Sequence, residues 1–384
     1  MTRHVLSALG GLAALCVAMV PAAAWAEQRV LAEVVIMRHG IRAPILPGVS
    51  TPPLTKRAWP RWPDSPGQLT RHGRDVVRIM GRYDGAAWRR AGLLPPGCPT
   101  SGAFDVVADT DQRTLDTARA LLDAAFPRCA VPLASAADAA ENPFRPVLSP
   151  DTVRLAREAA GAALEDFRPD RTVREVSRKL GKVLDNPGWQ GLAGPGEMSR
   201  DGWPVVRGPL LAAFQVTDTF MMEYEQGMKP GWGRLAEADV ERLLVLNTLY
   251  ARLTRRPPGV SAPETATIRG MIGTVFARAS ARSRHVTLIV GHDDTLNALA
   301  GAFGLHWRAQ GVPADMPLPA GGLVFDLLED GTRQSVRIRY VAPTLGEARA
   351  PARLRRDGPR IVPLPCDGRK ACTMAAFSAL LRGR

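Results

Sequence analysis

Three short apolar runs in the chain each end directly in polar, reactive residues. The runs cover residues 30–37, 104–108 and 286–290, are rich in β-branched side chains, and are bounded by turn-forming residues. This pattern predicts buried strands. Helical periodicity follows at 114–126 and 295–303. The alternation of strand, reactive loop and helix predicts an α/β fold built on an open, mostly parallel sheet with flanking helices.

The periodicity changes between residues 139 and 256, where apolar residues recur with helical spacing and no stretch alternates as a strand does. The helical stretches are 152–167, 172–184, 209–226 and 238–254. We therefore expect an α-helical domain at 139–256, inserted into an α/β domain that comprises 27–138 and 257–384. A strand pair at 322–328 and 335–341, and a surface segment rich in Pro and Arg at 349–365, complete the chain.

The first 26 residues have the pattern of a secretory signal. Arg3 supplies a positive charge, residues 5–20 form an apolar run, and Ala24-Trp25-Ala26 offers small residues for cleavage before Glu27. The alternative is a membrane anchor, but the run is short for a spanning helix. We expect cleavage, a periplasmic or secreted mature chain, and no membrane association afterwards.

The charge balance favours an anionic substrate. The formal net charge is +13, and arginine supplies all but five of the 50 basic residues. A basic surface steers anions toward the protein. We expect no nucleic-acid partner, because no basic run is interleaved with aromatic residues. We expect a monomer.

Four cysteines remain once the signal is removed: Cys98, Cys129, Cys366 and Cys372. An even number in an exported chain predicts disulfides, and three pairings are possible. The spacing favours two local bridges, Cys98–Cys129 and Cys366–Cys372. No Cys-x-x-Cys pair is present, so a zinc site built on thiolates is not expected.

The residues that follow the first predicted strand suit phosphate chemistry. Hydrolysis of a phosphomonoester needs cations around the phosphate oxygens, a nucleophile, and an acid for the departing alkoxide. Arg38 and Arg42 flank His39, and the arginine fork binds phosphate in a bidentate manner. A neutral His39 imidazole could attack phosphorus and form a phosphohistidine. We expect Gly40 to leave room for the phosphate.

The other two predicted strands end in residues that complete this set. Arg113 follows the second strand, and His292 and Asp293 follow the third. Ligands of open α/β sheets bind beyond the carboxyl ends of the strands, so these groups would meet near His39. Arg113 and His292 would bind phosphate, and Asp293 would protonate the leaving group. Alternatively, Arg113 pairs with Asp109 or Asp111 on the surface.

A second Arg-His-Gly tripeptide provides an internal control. Arg71-His72-Gly73 lacks the following arginine and proline, and no apolar strand precedes it. Thr70 instead resembles a helix cap ahead of an apolar periodic stretch. We therefore expect His72 to lie at a helix start and to have no catalytic role.

The segment 38–44 (RHGIRAP) and the pair His292-Asp293 resemble the signature of the histidine acid phosphatases, which include bacterial phytases and glucose-1-phosphatases. Further segments resemble bacterial phytases across nearly the whole mature chain: 59–63, 68–73, 97–99, 108–114 and 230–234. The resemblance implies a phosphoglycerate-mutase-like α/β domain and a helical domain with phosphate between them. It also implies phosphate ligands, a nucleophile and a proton donor, without metal or cofactor: Arg38, Arg42, Arg113 and His292; His39; and Asp293.

Two departures from the phytase pattern bear on the substrate, for which the resemblance implies phytate or a sugar phosphate. Ile45 and Leu46 stand where such phytases have Thr-Lys, which removes one cation and favours the alternative of a glucose-1-phosphatase with little phytase activity. Asp294 adds a carboxylate next to Asp293, which either disfavours a second anion or points outward. Asp218 resembles an acidic position that faces substrate in relatives, and helix capping is the alternative.

Two rival functions share parts of this residue set. A phosphate-ester binding protein could keep the fold without turnover, but the complete set of nucleophile, clamp and acid argues against it. A phosphate mutase uses a similar Arg-His-Gly loop, but export and the His-Asp pair argue against it.

Overall fold

A computed structural model describes residues 28–45, 54–100, 102–138, 142–186, 189, 196–366 and 368–383. The predicted signal at 1–26 and the departure at Leu46 lie outside these residues.

The described chain contains one large sheet and one short ribbon. The strands are β1 (Arg29–Arg38), β2 (Phe104–Ala108), β3 (Ala134–Ser135), β4 (Glu197–Met198), β5 (Val206–Arg207), β6 (His285–Gly291), β7 (Gly322–Asp330), β8 (Arg333–Ala342), β9 (Arg360–Leu364) and β10 (Cys372–Thr373). The order in the large sheet is β10-β8-β7-β1-β6-β2-β3, with β9 also paired to β8, whereas β4 and β5 pair with each other.

Fourteen helices are present among the described residues. They are α1 (Arg71–Arg90), α2 (Gln112–Ala125), α3 (Pro150–Glu165), α4 (Arg171–Val183), α5 (Pro209–Glu225), α6 (Pro230–Gly233), α7 (Glu237–Leu243), α8 (Val245–Thr254), α9 (Pro258–Glu264), α10 (Ala266–Arg278), α11 (Asp293–Phe303), α12 (Leu345–Arg349), α13 (Pro351–Asp357) and α14 (Met374–Leu381). The predicted α/β fold is confirmed, and the predicted helix 238–254 is divided into α7 and α8.

The three strands predicted to carry reactive loops are neighbours and run parallel. β6 pairs with β1 on one side and with β2 on the other. Their last residues are aligned, because Arg38 pairs with Gly291 and Ala108 pairs with Val290. Most side chains of β1 and β6 are buried, as expected for strands covered on both faces. The loops after these strands therefore meet at one edge of the sheet.

The other half of the sheet is antiparallel and includes a strand that the sequence analysis does not anticipate. The predicted pair 322–328 and 335–341 is confirmed as β7 and β8. Within the predicted surface segment 349–365, α13 precedes β9, which pairs with β8. Pro363 lies in β9, which is compatible with an edge strand because proline cannot donate to a second neighbour.

Between residues 142 and 256, the described residues contribute helices α3 to α8 and the ribbon β4–β5, and no strand of the large sheet. This agrees with a largely helical region, and the division into domains at 139 and 256 stays a prediction.

Both local disulfides favoured by the sequence are formed, Cys98–Cys129 and Cys366–Cys372. Within the part of the chain that the structure describes, no helix is long and apolar enough to cross a membrane.

Candidate active site

His39 lies directly after β1 and is held by backbone contacts. Its amide donates to the Gly291 carbonyl at 3.0 Å, which continues the pairing of β1 with β6. The ring Nδ1 lies 2.8 Å from the Gly40 carbonyl oxygen. A carbonyl can only accept, so Nδ1 carries the proton and Nε2 keeps a free lone pair. Burial, together with the positive charge of Arg38 and Arg113, holds the pKa of His39 well below its ordinary value. The ring is therefore neutral and suited to nucleophilic attack.

A buried carboxylate joins the two arginines that flank His39. Arg38 Nη2 donates to Asp218 Oδ1 at 2.8 Å, and Arg42 Nη2 donates to Asp218 Oδ2 at 2.7 Å. Burial lowers the pKa of Arg38, but Asp293 and Asp218 more than offset this effect and raise it above its ordinary value. Asp218 lies in the middle of α5, so the helix-capping alternative is wrong. Its carboxylate instead fixes the spacing of the two guanidinium groups.

Arg113 and His292 approach His39 from the neighbouring strands. Arg113 lies in the first turn of α2, and its Nη2 is 3.4 Å from His292 Nδ1. The rings of His292 and His39 form an edge-to-face pair with centroids 5.5 Å apart. Arg113 also donates to Asp111 at 3.1 Å, so the alternative surface pairing occurs. The Arg113 side chain is nevertheless only 15% exposed, which keeps its charge within the site.

Asp109 orients His292. The His292 Nε2 lies 2.8 Å from Asp109 Oδ2, and Asp109 is fully buried. Burial raises the pKa of Asp109, but the hydrogen bonds from His292 and from the Thr110 amide dominate and lower it to about 2. The carboxylate accepts a hydrogen bond from Nε2–H, so Nδ1 is the nitrogen that faces Arg113.

Asp293 is the first residue of α11 and lies beside Arg38, with Oδ1 3.8 Å from Arg38 Nε. Burial raises the pKa of Asp293, but Arg38, Arg42 and His292 outweigh this effect and lower it below its ordinary value. In the free protein the group is therefore a carboxylate at mildly acidic pH.

Gly40 has a different reason to be glycine from the one that the sequence suggests. A Cβ atom there would lie 2.7 Å from Val77 Cγ2 and 2.9 Å from Leu69 Cδ1. These atoms belong to buried core residues and not to the cavity. The expectation that Gly40 leaves room for phosphate is wrong, because the space is needed for packing of α1 against the loop after β1.

These groups line one cavity of about 630 Å³. Five of the six predicted site residues contribute to its wall: His39, Arg42, Arg113, His292 and Asp293. Arg38 lies behind the wall and is fully buried. Among the described residues, Arg38 Nε and Arg113 Nε are buried donors without a hydrogen-bond partner, and a phosphate oxygen has the chemistry to satisfy them.

Comparison with known proteins agrees with this arrangement. No protein-family model matches the chain. Phytase AppA of Escherichia coli is 28% identical over 401 residues, which cover 92% of each chain. Glucose-1-phosphatase of Salmonella typhimurium is 28% identical over 81% of this chain and 80% of its own. The structure of the phytase from Citrobacter braakii superimposes with a TM-score of 0.78 at 26% identity, covering 92% of this chain and 97% of that one.

The predicted resemblance to the histidine acid phosphatases is confirmed, because these relatives match the chain over most of its length. The predicted enzyme class, phosphomonoester hydrolase, is confirmed by the same relatives. The roles of individual residues stay predictions. The second Arg-His-Gly tripeptide lies at a helix start as expected, because Thr70 caps α1 and His72 contacts the Ala348 carbonyl at 2.8 Å.

One group of side chains in this phosphatase has the donor types of a metal site. Asp109, Asp111 and His292 place ligand atoms within 4.8 Å of one another. Arg145 Nη2 already lies 3.4 Å from Asp109 and 3.2 Å from Asp111. Arginine therefore supplies the positive charge that these carboxylates face, and a metal ion would compete with it.

Sequence reasoning missed the supporting carboxylates of this phosphatase. From the sequence, Asp109 is expected only as a surface partner of Arg113, and Asp218 only as a helix cap or a substrate contact. The signal for Asp109 was present, since it directly follows β2 at the same sheet edge as His292. The pairing of Asp218 with Arg38, 180 residues away, has no local sequence signal.

Proposed function

We propose that this phosphatase hydrolyses phosphomonoesters through a phosphohistidine intermediate on His39. The Nε2 lone pair attacks phosphorus, an N–P bond forms, and the bond from phosphorus to the ester oxygen breaks. Water then attacks the phosphohistidine, and orthophosphate leaves with regeneration of the neutral imidazole. The observation that carries this proposal is the hydrogen bond from Nδ1 to the Gly40 carbonyl, because it leaves Nε2 free in a ring with a lowered pKa.

Arg38, Arg42, Arg113 and His292 would hold the phosphate during both steps. Support comes from the two buried Nε donors and from the position of Arg42, Arg113 and His292 in the cavity wall. Negative charge that develops on the equatorial oxygens would be stabilised by donors that are already oriented, which lowers the barrier. Arg38 would act from behind the wall, through its Nε, which lies 3.8 Å from Asp293 Oδ1 and makes no hydrogen bond within the described chain.

Asp293 would donate a proton to the departing alkoxide and then take one from the attacking water. Its lowered pKa in the free protein comes from nearby cations after the opposing effect of burial is overcome. A bound phosphate dianion offsets those cations, so substrate binding raises the pKa of Asp293 and favours the protonated acid. This coupling would supply the acid where a substrate is present.

Relatives are named phytase and glucose-1-phosphatase, so phytate and sugar phosphates are the candidates to compare. Ile45, at the threonine position of the phytase Thr-Lys pair, lines the cavity, and Leu46 at the lysine position lies outside the described residues. Asp294 also lines the cavity, which supports its expected effect against a second anion.

The decisive experiment uses the two Arg-His-Gly copies as a matched pair. His39→Ala should abolish phosphate release from 4-nitrophenyl phosphate, phytate and glucose 1-phosphate, whereas His72→Ala should retain it. Rapid acid-free quenching with radiolabelled substrate should trap one base-stable phosphoryl group per wild-type chain and none in His39→Ala. Undiminished turnover in His39→Ala would refute the mechanism, and inactivity of the wild type on all substrates would favour a binding protein. Phosphate transfer to an added alcohol without release would favour a mutase.

We further propose that the chain is exported to the periplasm or secreted, and acts as a monomer. The two disulfides support an oxidising compartment. Amino-terminal sequencing should give Glu27, and gel filtration should give the mass of one mature chain. An intact Met1 terminus would contradict cleavage.

A further inference from the structure

The cavity continues from the arginine cluster into a wall of apolar side chains, which we call the apolar sleeve. The apolar sleeve consists of Phe144, Leu148, Val153, Trp203, Phe214 and Ile268. Phe214 and Asp218 are four residues apart on α5 and therefore lie on the same face of that helix. The sleeve thus begins one helical turn from the carboxylate that joins Arg38 and Arg42.

The charged groups beyond the phosphate end do not form a second cationic site. Arg255 lines the cavity, but its Nε lies 3.1 Å from Asp294 Oδ2. Glu264 lines the same region, and burial raises its pKa to about 7. Arg145 faces Asp109 and Asp111. The positive charge of these arginines is therefore already offset by neighbouring carboxylates.

The cavity is not enriched in positive charge, although the chain as a whole has a net charge of +13. Among the described lining residues, four arginines face five acidic side chains, of which Glu264 is largely uncharged at acidic pH because of its raised pKa: Arg42, Arg113, Arg145 and Arg255; Asp109, Asp218, Glu264, Asp293 and Asp294. The internal segments outside the described residues contain no lysine or arginine that could change this balance. Beyond the first phosphate, a substrate with several phosphates would meet apolar side chains and arginines that are already paired with carboxylates, at a desolvation cost.

We propose that the preferred substrate is the monophosphate ester of an apolar, preferably aromatic, alcohol whose alcohol part occupies the apolar sleeve. This inference rests on the proposed phosphohydrolase function and narrows its substrate. A cavity of about 630 Å³ has the size of sites for small organic ligands and exceeds what a phosphate alone needs. Burial of an aromatic ring against the sleeve lowers its free energy relative to water, whereas burial of a polyol does not.

The test compares alkyl esters whose leaving groups are similar in basicity, so that reactivity does not mask recognition. The probes are 2-phenylethyl phosphate, glycerol 1-phosphate and myo-inositol hexakisphosphate, with kcat/KM from phosphate release. This ratio reports events up to phosphoenzyme formation, whereas kcat would include a hydrolysis step common to all substrates. We expect kcat/KM for 2-phenylethyl phosphate to exceed that for each other probe at least tenfold, which corresponds to about 1.4 kcal/mol.

Variants of the sleeve should change this preference. Phe214→Ala should reduce the ratio of phenylethyl to glycerol ester at least fivefold, and Val153→Lys should shift preference toward the hexakisphosphate. Leu155→Ala removes an apolar side chain that is 53% exposed and lies outside the cavity wall, so it should leave the ratio unchanged. Val153→Lys keeps the test decisive if Phe214→Ala does not fold, because Val153 is only partly buried.

The outcomes separate the two proposals. Equal or higher kcat/KM for glycerol 1-phosphate or the hexakisphosphate would refute the proposed preference for apolar alcohols, while the phosphohydrolase function would stand. Inactivity on all three probes and on 4-nitrophenyl phosphate would instead refute the proposed function.

Discussion

Replacement of Asp109 by Asn should destabilise the protein in a way that depends on pH. The carboxylate is fully buried and its pKa is about 2, compared with an ordinary value of 3.8. A difference of one between the folded and unfolded pKa corresponds to about 1.36 kcal/mol, so the ionised form contributes up to about 2 kcal/mol to the free energy of unfolding. Because the pKa is lower in the folded state, this contribution is complete above about pH 5. It decreases as the pH falls through 3.8 toward 2, and about half of it remains at pH 3.

The measurement is urea unfolding of wild type and Asp109→Asn between pH 6 and pH 3, followed by circular dichroism. Other titrating groups are common to both proteins and cancel in the difference, so the difference should fall from about 2 to about 1 kcal/mol. Asp105→Asn is the matched control, because Asp105 also faces a histidine, His285 at 3.2 Å, but its side chain is 70% exposed. We expect less than about 0.5 kcal/mol there. A difference for Asp109→Asn that is independent of pH would show that packing, and not the charge paired with His292, is responsible.

Three further predictions concern catalysis and packing. Asp293→Asn should lower kcat/KM for 2-phenylethyl phosphate about 10²- to 10⁴-fold, as expected for loss of a general acid. The rate of the burst with 4-nitrophenyl phosphate should fall less than about tenfold, since that leaving group needs little protonation. Equal losses for the two substrates would contradict the role of Asp293 as the acid. In pH–rate profiles, the alkaline limb of kcat should lie at higher pH than that of kcat/KM, because bound phosphate raises the pKa of Asp293. Limbs at the same pH, or limbs that persist in Asp293→Asn, would contradict this coupling. Gly40→Ala should lower the free energy of unfolding in urea by about 1–3 kcal/mol, because its Cβ would meet Val77. Gly97→Ala is the control, because its Cβ would have no atom within 4 Å, and it should lower that free energy by less than about 0.5 kcal/mol. Similar losses for the two variants would contradict the packing explanation.

The sequence predicts the meeting of the site residues because one topological rule connects them. Three β-branched runs become neighbouring parallel strands, so the residues after each strand reach the same edge. The rule does not describe how the side chains contact each other there. It therefore finds His39, Arg113 and His292, but it does not find that Asp218 binds Arg38 across 180 residues.

The elements that the sequence analysis misses have weak local patterns for identifiable reasons. β9 contains Pro363 and exposes most of its side chains, so it has neither the alternation nor the composition of a buried strand. The break between α7 and α8 at Leu244 falls within continuous helical periodicity. Gly40 shows the same limit, because Leu69 and Val77, whose side chains exclude a Cβ, lie far along the chain in and just before α1.

The disulfide Cys98–Cys129 closes a loop that contains β2 and the whole of α2, and hence both Asp109 and Arg113. A covalent loop with a sequence separation of 31 residues lowers the conformational entropy of the unfolded chain. This loss stabilises the folded state by about 3–4 kcal/mol. The cross-link therefore stabilises the segment that carries Asp109 and Arg113, which His292 contacts from a distant part of the chain. A chain kept in a reducing compartment would lack this cross-link and its contribution to the free energy of unfolding. The bridge thus makes the stability of one wall of the phosphate site depend on the oxidation of two thiols.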